Sequence, residues 1–444
     1  MLPKSPADSP QSGFFDITHQ LELSHPLLAL GDSINWSELE KTFANHYSKK
    51  GRGAKPIRLM CGLLILKQMF DLSDKQVVEQ WMMNPYYQVF CGEVEFQITP
   101  PCDSSELSVF RQRIGPQGAD KLFSLSVSLH GEQAEEKTVL VDTTVQEKAI
   151  TYPTDSKLAI KIINRLHKLA KRENIKLRRT YAKEIKSLRL ASRHFRHVKT
   201  RSKAKRALKR LRTIAHTLIR ELMRKLPSAV IEREQAQFDL YLKVLSQQPK
   251  DKNKIYSLHE PDVYCVGKGK DHKPYEYGRK ASVVSTLEHN IIVGVVSHDE
   301  HVHDSKTLAP ALAHANAHRQ TPIAMAVVDR GYRGAKQYVT EDVLLPNKPL
   351  KRDTQYQKQR KRRLCQKRAG IEPIIGHLKH DYRLCRNWLK GSEGDKFNLL
   401  MAACAWNLRK WMVAFFLFEN QQVFWAVLIE IRTEYATVKI MMAE

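Results

Sequence analysis

Apolar residues in the first third of this chain recur at helical spacing, in three groups with short connections. Lys55-Pro56 opens a predicted helix that runs to about Phe70, and Ser73 can cap a second one. A third predicted helix begins after Asp103. Helix-turn-helix DNA binding and generic helical packing fit this pattern about equally well.

Further along, the pattern changes to short runs of apolar residues, rich in Val. Two of them, Thr138–Asp142 and Ala324–Asp329, each end in an acid at the point where a strand would meet solvent. The remaining predicted elements are a strand pair at 277–287 and 291–296, helices at 305–317 and near 334–341, and a short strand at 343–345. This order predicts a mixed β-sheet covered by helices.

Between these two kinds of pattern lies a strongly basic segment. No proline or glycine occurs between Pro153 and Pro227, and Lys and Arg dominate, above all in 199–212. Apolar residues keep helical intervals at Leu208, Leu211, Ile214, Leu218 and Leu222. The segment therefore reads as basic amphipathic helices inserted after the first core strand. It is either a solvated hairpin or a DNA-backbone contact, and we favour DNA because charges of one sign repel each other without a polyanion.

Composition supports a nucleic-acid partner. The chain has 73 Lys and Arg against 47 Asp and Glu, a net charge of +26 over 444 residues. Its seven cysteines include no CxxC pair, which indicates reduced cytosolic thiols and argues against structural zinc. The N-terminus lacks the apolar core of a signal peptide. The apolar runs 411–418 and 423–429 are too short to cross a bilayer, so we expect no membrane partner.

Three carboxylates stand out as candidate metal ligands: Asp142, Asp329 and Glu372. Arg368 and Lys379 lie four residues before and seven after Glu372, offsets that return to nearly one side of a helix. Hard oxygen ligands suit Mg²⁺ or Mn²⁺, and a two-ion site can cleave phosphodiesters. Each acid alone is more simply a strand end or a solvated helix residue, but the three together favour the metal site.

Two details qualify this site. Pro373 disfavours helical backbone before it, so Glu372 is expected at a kink or at the N-terminus of a helix beginning with Pro373. The His and Asp residues of 298–304, which include Asp304, resemble a metal cluster but are more simply a polar strand-to-helix loop.

The chain resembles the DDE transposases of bacterial insertion sequences, in the group with a Tyr-x2-Arg-x3-Glu-x6-Lys signature. Arg368, Glu372 and Lys379 match that signature, whereas Cys365 stands at the Tyr position. The segments 141–148 (VDTTVQEK), 259–262 (HEPD) and 329–332 (DRGY) also look like the family. The resemblance runs from about residue 40 to Trp411.

This resemblance implies a ribonuclease H-like core on which Asp142, Asp329 and Glu372 bind two Mg²⁺ or Mn²⁺ ions. Arg368 and Lys379 would contact DNA at the element's end, and Cys365 cannot supply a phenolic hydroxyl. The expected division is a loosely ordered leader, a helical DNA-binding domain, an α/β core split by the basic insertion, and a tail. The corresponding residues are 1–35, 36–130, 131–152 with 255–410, 153–254, and 411–444.

The predicted function is cleavage at the ends of the element and joining of the 3′-hydroxyls to target DNA. We expect a homodimer or higher oligomer on DNA, cytoplasmic and associated with the nucleoid. Two alternatives stay open, a nuclease of the same core without strand transfer and a non-catalytic DNA-binding relative. Joined products would identify strand transfer, and metal-dependent cleavage would exclude a non-catalytic protein.

Overall fold

The computed structural model describes residues 16–47, 53–193, 195, 197–268, 273–346 and 351–441; for 419–441 it describes only the helix. The chain divides into two units, one of Met1–Gln146 with Lys280–Glu444 and one of Glu147–Arg279. We call them the core unit and the insertion unit. Each has its own hydrophobic core.

Among the described residues of the core unit, six α-helices precede the sheet. Ser73 and Gln76 form a reciprocal capping box at the start of α4, and Asp103 and Glu106 form another at α6. Gly115, with φ of 57°, kinks α6 just before Pro116. The three helices predicted in this region are confirmed. In order the six are α1 (Pro26–Ser33), α2 (Trp36–Ala44), α3 (Ile57–Met69), α4 (Asp74–Met83), α5 (Pro85–Phe90) and α6 (Ser104–Ser128).

Residues 16–35 differ from the loosely ordered leader that the sequence predicts. They form a 3-10 turn at Ile17–Gln20 and then helix α1, which buries Leu27 and Leu30. Pro26 occupies the first position of α1, where proline favours a helix start because no backbone donor is needed there. The prolines that suggested disorder, at positions 3, 6 and 10, lie outside the described residues.

The sheet is mixed, in the order β4-β3-β1-β5-β6, with β2 beside the first residues of β3. β1 pairs parallel with β5, and β5 pairs parallel with β6. β3 and β4 form an antiparallel hairpin. The predicted mixed α/β class is confirmed. The strands are β1 (Thr138–Glu147), β2 (Tyr264–Gly267), β3 (Tyr275–Thr286), β4 (Ile292–His298), β5 (Met325–Val327) and β6 (Asp342–Leu344).

The helices numbered α11 to α14 follow β4. They are α11 (Asp304–Ala317), α12 (Gln355–Lys367), α13 (Ile371–His380) and α14 (Gly391–Met441). α11 packs on β4, while α14 packs on α6, α3 and β4. The N-terminal helices, the sheet and α14 thus share one apolar core. The domain boundary at residue 130 stays a prediction.

One local prediction after β4 is wrong. The helix expected near 334–341 is a single 3-10 turn, Ala335–Gln337, because Gly334 has φ of +83° and turns the chain toward β6. In the tail, α14 continues through 419–422, the polar residues that separate the two apolar runs.

The insertion unit is mainly helical, with α7 (Asp155–Arg172), α8 (Ala182–Ala191), α9 (Val198–Lys225) and α10 (Ser228–Ser246). Leu211, Ile214, Leu218 and Leu222 are all buried on one side of α9. The cations from Lys199 to Arg210 are exposed among the described residues of that helix. The predicted amphipathic character of this segment is therefore confirmed.

Candidate active site

Parallel pairing of β1 and β5 brings two of the predicted acids together. Leu140 of β1 is the register partner of Val327 of β5. Asp142 and Asp329 each lie two residues beyond that pair. Because side chains alternate along a strand, both acids extend from the same face at the same sheet edge.

A small apolar cluster brings the third acid to this edge. Leu140, Val327 and Ile371 are fully buried against one another, and each is one or two residues from a predicted acid. Burying these side chains stabilises the arrangement by roughly 1.5–3 kcal/mol each. The cluster therefore fixes the start of α13, and with it Glu372, beside the middle of β1 and the end of β5. The strand end predicted at Asp142 is wrong, because β1 continues to Glu147.

The backbone around Glu372 resolves the question raised by Pro373. α12 ends at Lys367, one 3-10 turn spans Arg368–Gly370, and α13 begins at Ile371. Pro373 therefore lies in the first turn of α13, where its missing N–H leaves no helical hydrogen bond unmade. Glu372 is therefore the second residue of α13. The helix begins at Ile371, two residues before the alternative start at Pro373.

Arg368 lies between two of the acids. Its Nη2 donates to Glu372 Oε1 at 3.1 Å, and its Nη1 lies 3.8 Å from Asp142 Oδ2. Glu372 is 63% exposed, whereas Asp142 is mostly buried. The guanidinium thus offsets one of the two negative charges of a carboxylate pair that opens to solvent on the Glu372 side.

Lys379 and Cys365, the other two signature positions, flank this site along the chain. Lys379 is half-buried on α13, two turns after Glu372. Cys365 is half-buried on α12, and burial raises the pKa of its thiol. The thiol therefore stays neutral and offers only a weak hydrogen-bond donor where the family signature has a phenol.

The pKa of the Asp142 carboxyl is raised to about 6, and burial is the largest cause. The neighbouring Asp329 and Asp304 also raise it, while the Thr143 N–H, 2.7 Å from Oδ1, and Arg368 lower it, and the value of about 6 includes all of these contributions. Desolvation and like charge thus outweigh the two stabilising partners. A nearby cation would stabilise the charged form of a carboxylate in this position. The hard oxygen donors of the carboxylate suit a divalent ion such as Mg²⁺.

Asp304 is a fourth carboxylate at this edge, and the sequence interpretation of 298–304 as a polar loop missed it. Its Oδ1 accepts hydrogen bonds from Thr143 Oγ1 and from Lys280 Nζ, both at 2.9 Å. A Cβ at Gly331 would lie 3.0 Å from Asp329 Oδ1 and 3.1 Å from Asp304 Oδ2. A side chain at position 331 would therefore require both carboxylates to shift by a few tenths of an ångström. No periodicity marks Asp304, because its partners come from β1 and β3.

Tyr332 lies beneath these acids with its side chain fully buried. Burial, together with Asp142 and Asp304, raises the pKa of its phenol well above the usual range. The hydroxyl therefore stays protonated, and Tyr332 adds no charge to the cluster.

Another group of possible metal ligands lies elsewhere in the core unit. Among the residues that the structure describes, only Asp120, His314 and His318 bring three His, Cys, Asp or Glu ligand atoms within 4.8 Å of one another. Both His Nε2 atoms lie 3.1 Å from Asp120 Oδ1. The His314 Nδ1 accepts the Val295 N–H at 3.4 Å, which leaves the proton on Nε2. These contacts fit a hydrogen-bonded link between α6 and α11.

In the insertion unit, two segments that look like the transposase family meet. Lys148 forms a buried ion pair with Glu260, with Nζ and Oε2 3.3 Å apart. Lys148 follows β1, whereas Glu260 belongs to the HEPD segment more than 100 residues later. The ion pair therefore joins two segments that are distant in the sequence.

Comparison with known proteins identifies the class and then the family. A mixed sheet with flanking helices and carboxylates at its edge is the arrangement of ribonuclease H-like enzymes. The family model "Transposase domain (DUF772)" matches residues 15–113, and the model "Transposase DDE domain" matches residues 244–408. The chain belongs to the DDE transposases of insertion sequences. Members of this family act on DNA and generally use divalent metal ions.

One curated relative is similar to part of this chain, and its name states no function. A Rhizobium meliloti protein named "Uncharacterized protein ORF8 in nfe locus" is 42% identical over 178 residues, 39% of this chain and 86% of that relative. No solved structure matches the chain. None of the described helices is both long and apolar enough to cross a membrane.

Proposed function

We propose that this transposase binds the ends of its insertion sequence, cleaves them by metal-dependent phosphodiester hydrolysis, and joins the 3′-hydroxyl ends to target DNA. The observation behind this proposal is the pairing of Asp142 and Asp329 at one sheet edge, with Arg368 between Asp142 and Glu372. Two hard carboxylates, one of them desolvated, together with an exposed third, are the donor set of a divalent-metal phosphoryl-transfer site.

In this proposal Asp142, Asp329 and Glu372 hold two Mg²⁺ or Mn²⁺ ions. Such ions, when bound, activate the attacking oxygen and stabilise the leaving oxygen. Arg368 would shift from Glu372 to a DNA phosphate, since both are anions within reach of the same fork. Lys379 contributes a second cation along α13. Thr143, Lys280 and Asp304 keep the middle of β1 in place through hydrogen bonds.

The exposed cations of α9 would bind the DNA backbone outside the active site. The insertion unit has 35 Lys and Arg against 13 Asp and Glu, so it contributes +22 of the chain's +26. Such a surface favours any polyanion and provides affinity without sequence selection. We expect a homodimer or higher oligomer on DNA, because an element has two ends to cut and join.

The test is cleavage of DNA that contains the inverted repeats flanking the gene. Asp142→Asn, Asp329→Asn and Glu372→Gln should each abolish metal-dependent cleavage and leave DNA binding intact, because the amide keeps the shape but loses the charge. Asp381→Asn is the matched control, since Asp381 ends the same α13 and pairs only with His377 among its described ion-pair partners. Cleavage by any triad variant at the wild-type rate would remove that residue from the site.

The products separate the alternative functions. Recovered joints between element ends and target DNA would support strand transfer, whereas cleaved but never joined DNA would indicate a nuclease. If the wild-type protein binds the ends and no divalent ion supports cleavage, the protein is a non-catalytic DNA-binding relative.

A further inference from the structure

The insertion unit contains an open cavity of about 950 Å³ that the mechanism above does not use. Its walls come from the segment after β1, the connection between α8 and α9, α9 itself, and the start of β3. Four aromatic residues line it: Tyr152, Phe195, Tyr275 and Tyr277. Small-molecule sites typically measure roughly 300–1,000 Å³, so this cavity has room for a nucleotide.

Three of these aromatic side chains are only half-buried. Tyr152 is 48% exposed, Tyr275 47% and Phe195 43%. Exposed aromatic rings gathered at one cavity contribute little to the packing of the insertion unit, whose apolar core is formed by other residues. Clustered rings that keep contact with water are typical of a binding surface.

Cations accompany the rings. Lys157 Nζ lies 6.0 Å from the centre of the Tyr152 ring, and the Arg201 guanidinium lies 5.9 Å from that of Phe195. Arg193 is exposed and lines the cavity beside Phe195. Lys148, Arg193 and Lys273 line the cavity together with Glu147 and Asp155. With the net charge of +22 on this unit, the cavity favours an anionic ligand that also offers a flat apolar face. A nucleotide has both properties, as phosphate and base.

A base within a duplex cannot reach such rings, because stacking on its neighbours covers both its faces. An unpaired base can stack on aromatic side chains, which gains about 1–3 kcal/mol per base and is nearly independent of sequence. We propose that this cavity binds an unpaired nucleobase of single-stranded DNA, stacked on Tyr152 and Phe195, with Arg193 near its phosphates. The choice of DNA over other nucleic acids rests on the proposed function.

The experiment measures the affinity of full-length protein for labelled oligothymidylate in a chelator, with an abasic oligomer of equal length as competitor. Both oligomers carry the same phosphates, so the difference in affinity isolates the bases. The wild type should prefer thymidylate, and Tyr152→Ala and Phe195→Ala should each reduce that preference about fivefold or more. Affinity for the abasic oligomer should stay unchanged.

Two matched variants control this experiment. Tyr152→Phe keeps the ring and should keep the preference, while Leu190→Ala removes an exposed aliphatic side chain of α8 that does not line the cavity. Unfolding curves of all variants identify any that fail to fold, and the two alanine variants test the proposal independently. Unchanged preference in both folded alanine variants, or equal affinity of the wild type for both oligomers, would overturn the proposal.

Oligouridylate bound more tightly than oligothymidylate would overturn the assignment to DNA. Asp142→Asn should keep the base preference, because it changes the core unit alone. If the wild-type protein never cleaves DNA but still prefers thymidylate, and Tyr152→Ala removes that preference, the proposed function is refuted and the proposed base site is supported.

Discussion

Replacing Asp142 by asparagine should make the metal-free protein more stable. Burial and the nearby Asp329 and Asp304 disfavour the charged form of Asp142, whose pKa rises from 3.8 to about 6. This shift of about two units corresponds to about 3 kcal/mol, at about 1.4 kcal/mol per unit. An asparagine of the same shape removes the charge and keeps an oxygen for the Thr143 N–H.

The pH dependence follows from the direction of this shift. Between about pH 4 and pH 6 the folded protein binds more protons at Asp142 than the unfolded chain does, so its contribution to stability falls as pH rises. The full penalty is present near pH 8 and absent near pH 4. Asp142→Asn should therefore raise the free energy of unfolding by up to about 3 kcal/mol near pH 8, with a gain that shrinks toward pH 4.

Urea denaturation in a chelator measures this difference. Addition of Mg²⁺ should then stabilise the wild type but not the variant, because ligand binding to the folded state stabilises it by mass action. Asp262→Asn is the control, since this exposed acid lies 3.9 Å from Arg279 and should change stability little. A destabilised Asp142→Asn in chelator, or equal Mg²⁺ stabilisation of both proteins, would refute this account of the site.

Three further changes test neighbouring parts of the molecule. Asp304→Asn should lower the free energy of unfolding by about 1–3 kcal/mol, because Lys280 loses a charged acceptor. Asp299 is more exposed, so Asp299→Asn should lower the free energy of unfolding by less. Arg368→Ala should slow cleavage tenfold or more and weaken engagement of the cleaved end more than general DNA affinity. Lys367→Ala, whose side chain pairs with Glu288, should cut normally. Normal cutting by both variants would make the signature match accidental. Replacing Lys199, Arg201, Lys203 and Lys205 of α9 by glutamine should reduce the slope of log affinity against log salt by about 0.9 for each lost phosphate contact. The control replaces Lys243 and Lys250 of the same unit by glutamine. If the control reduces the slope equally, a role specific to α9 is refuted.

The apolar patterns determined much of this protein without its tertiary structure. Helical spacing predicted α3, α4 and the buried face of α9, and the Val-rich runs predicted β1 and β5. These patterns predict helices and strands because each element must bury one apolar face. The spacing of that face is the same whichever neighbouring element covers it. The offset of four between Arg368 and Glu372 likewise predicted their contact, since it depends only on helical geometry.

Tertiary structure decided what depends on partners distant in the sequence. Asp304 joins the acids of the site only because β1, β3 and the start of α11 meet, and no local pattern marks that meeting. The raised pKa of Asp142 likewise depends on burial by other elements and on Asp329, 187 residues away. The aromatic cavity of the insertion unit joins Tyr152 to Phe195 and Tyr275 in the same way. Local spacing predicts which face of an element is buried, whereas long-range pairing determines which charged and aromatic groups share a site.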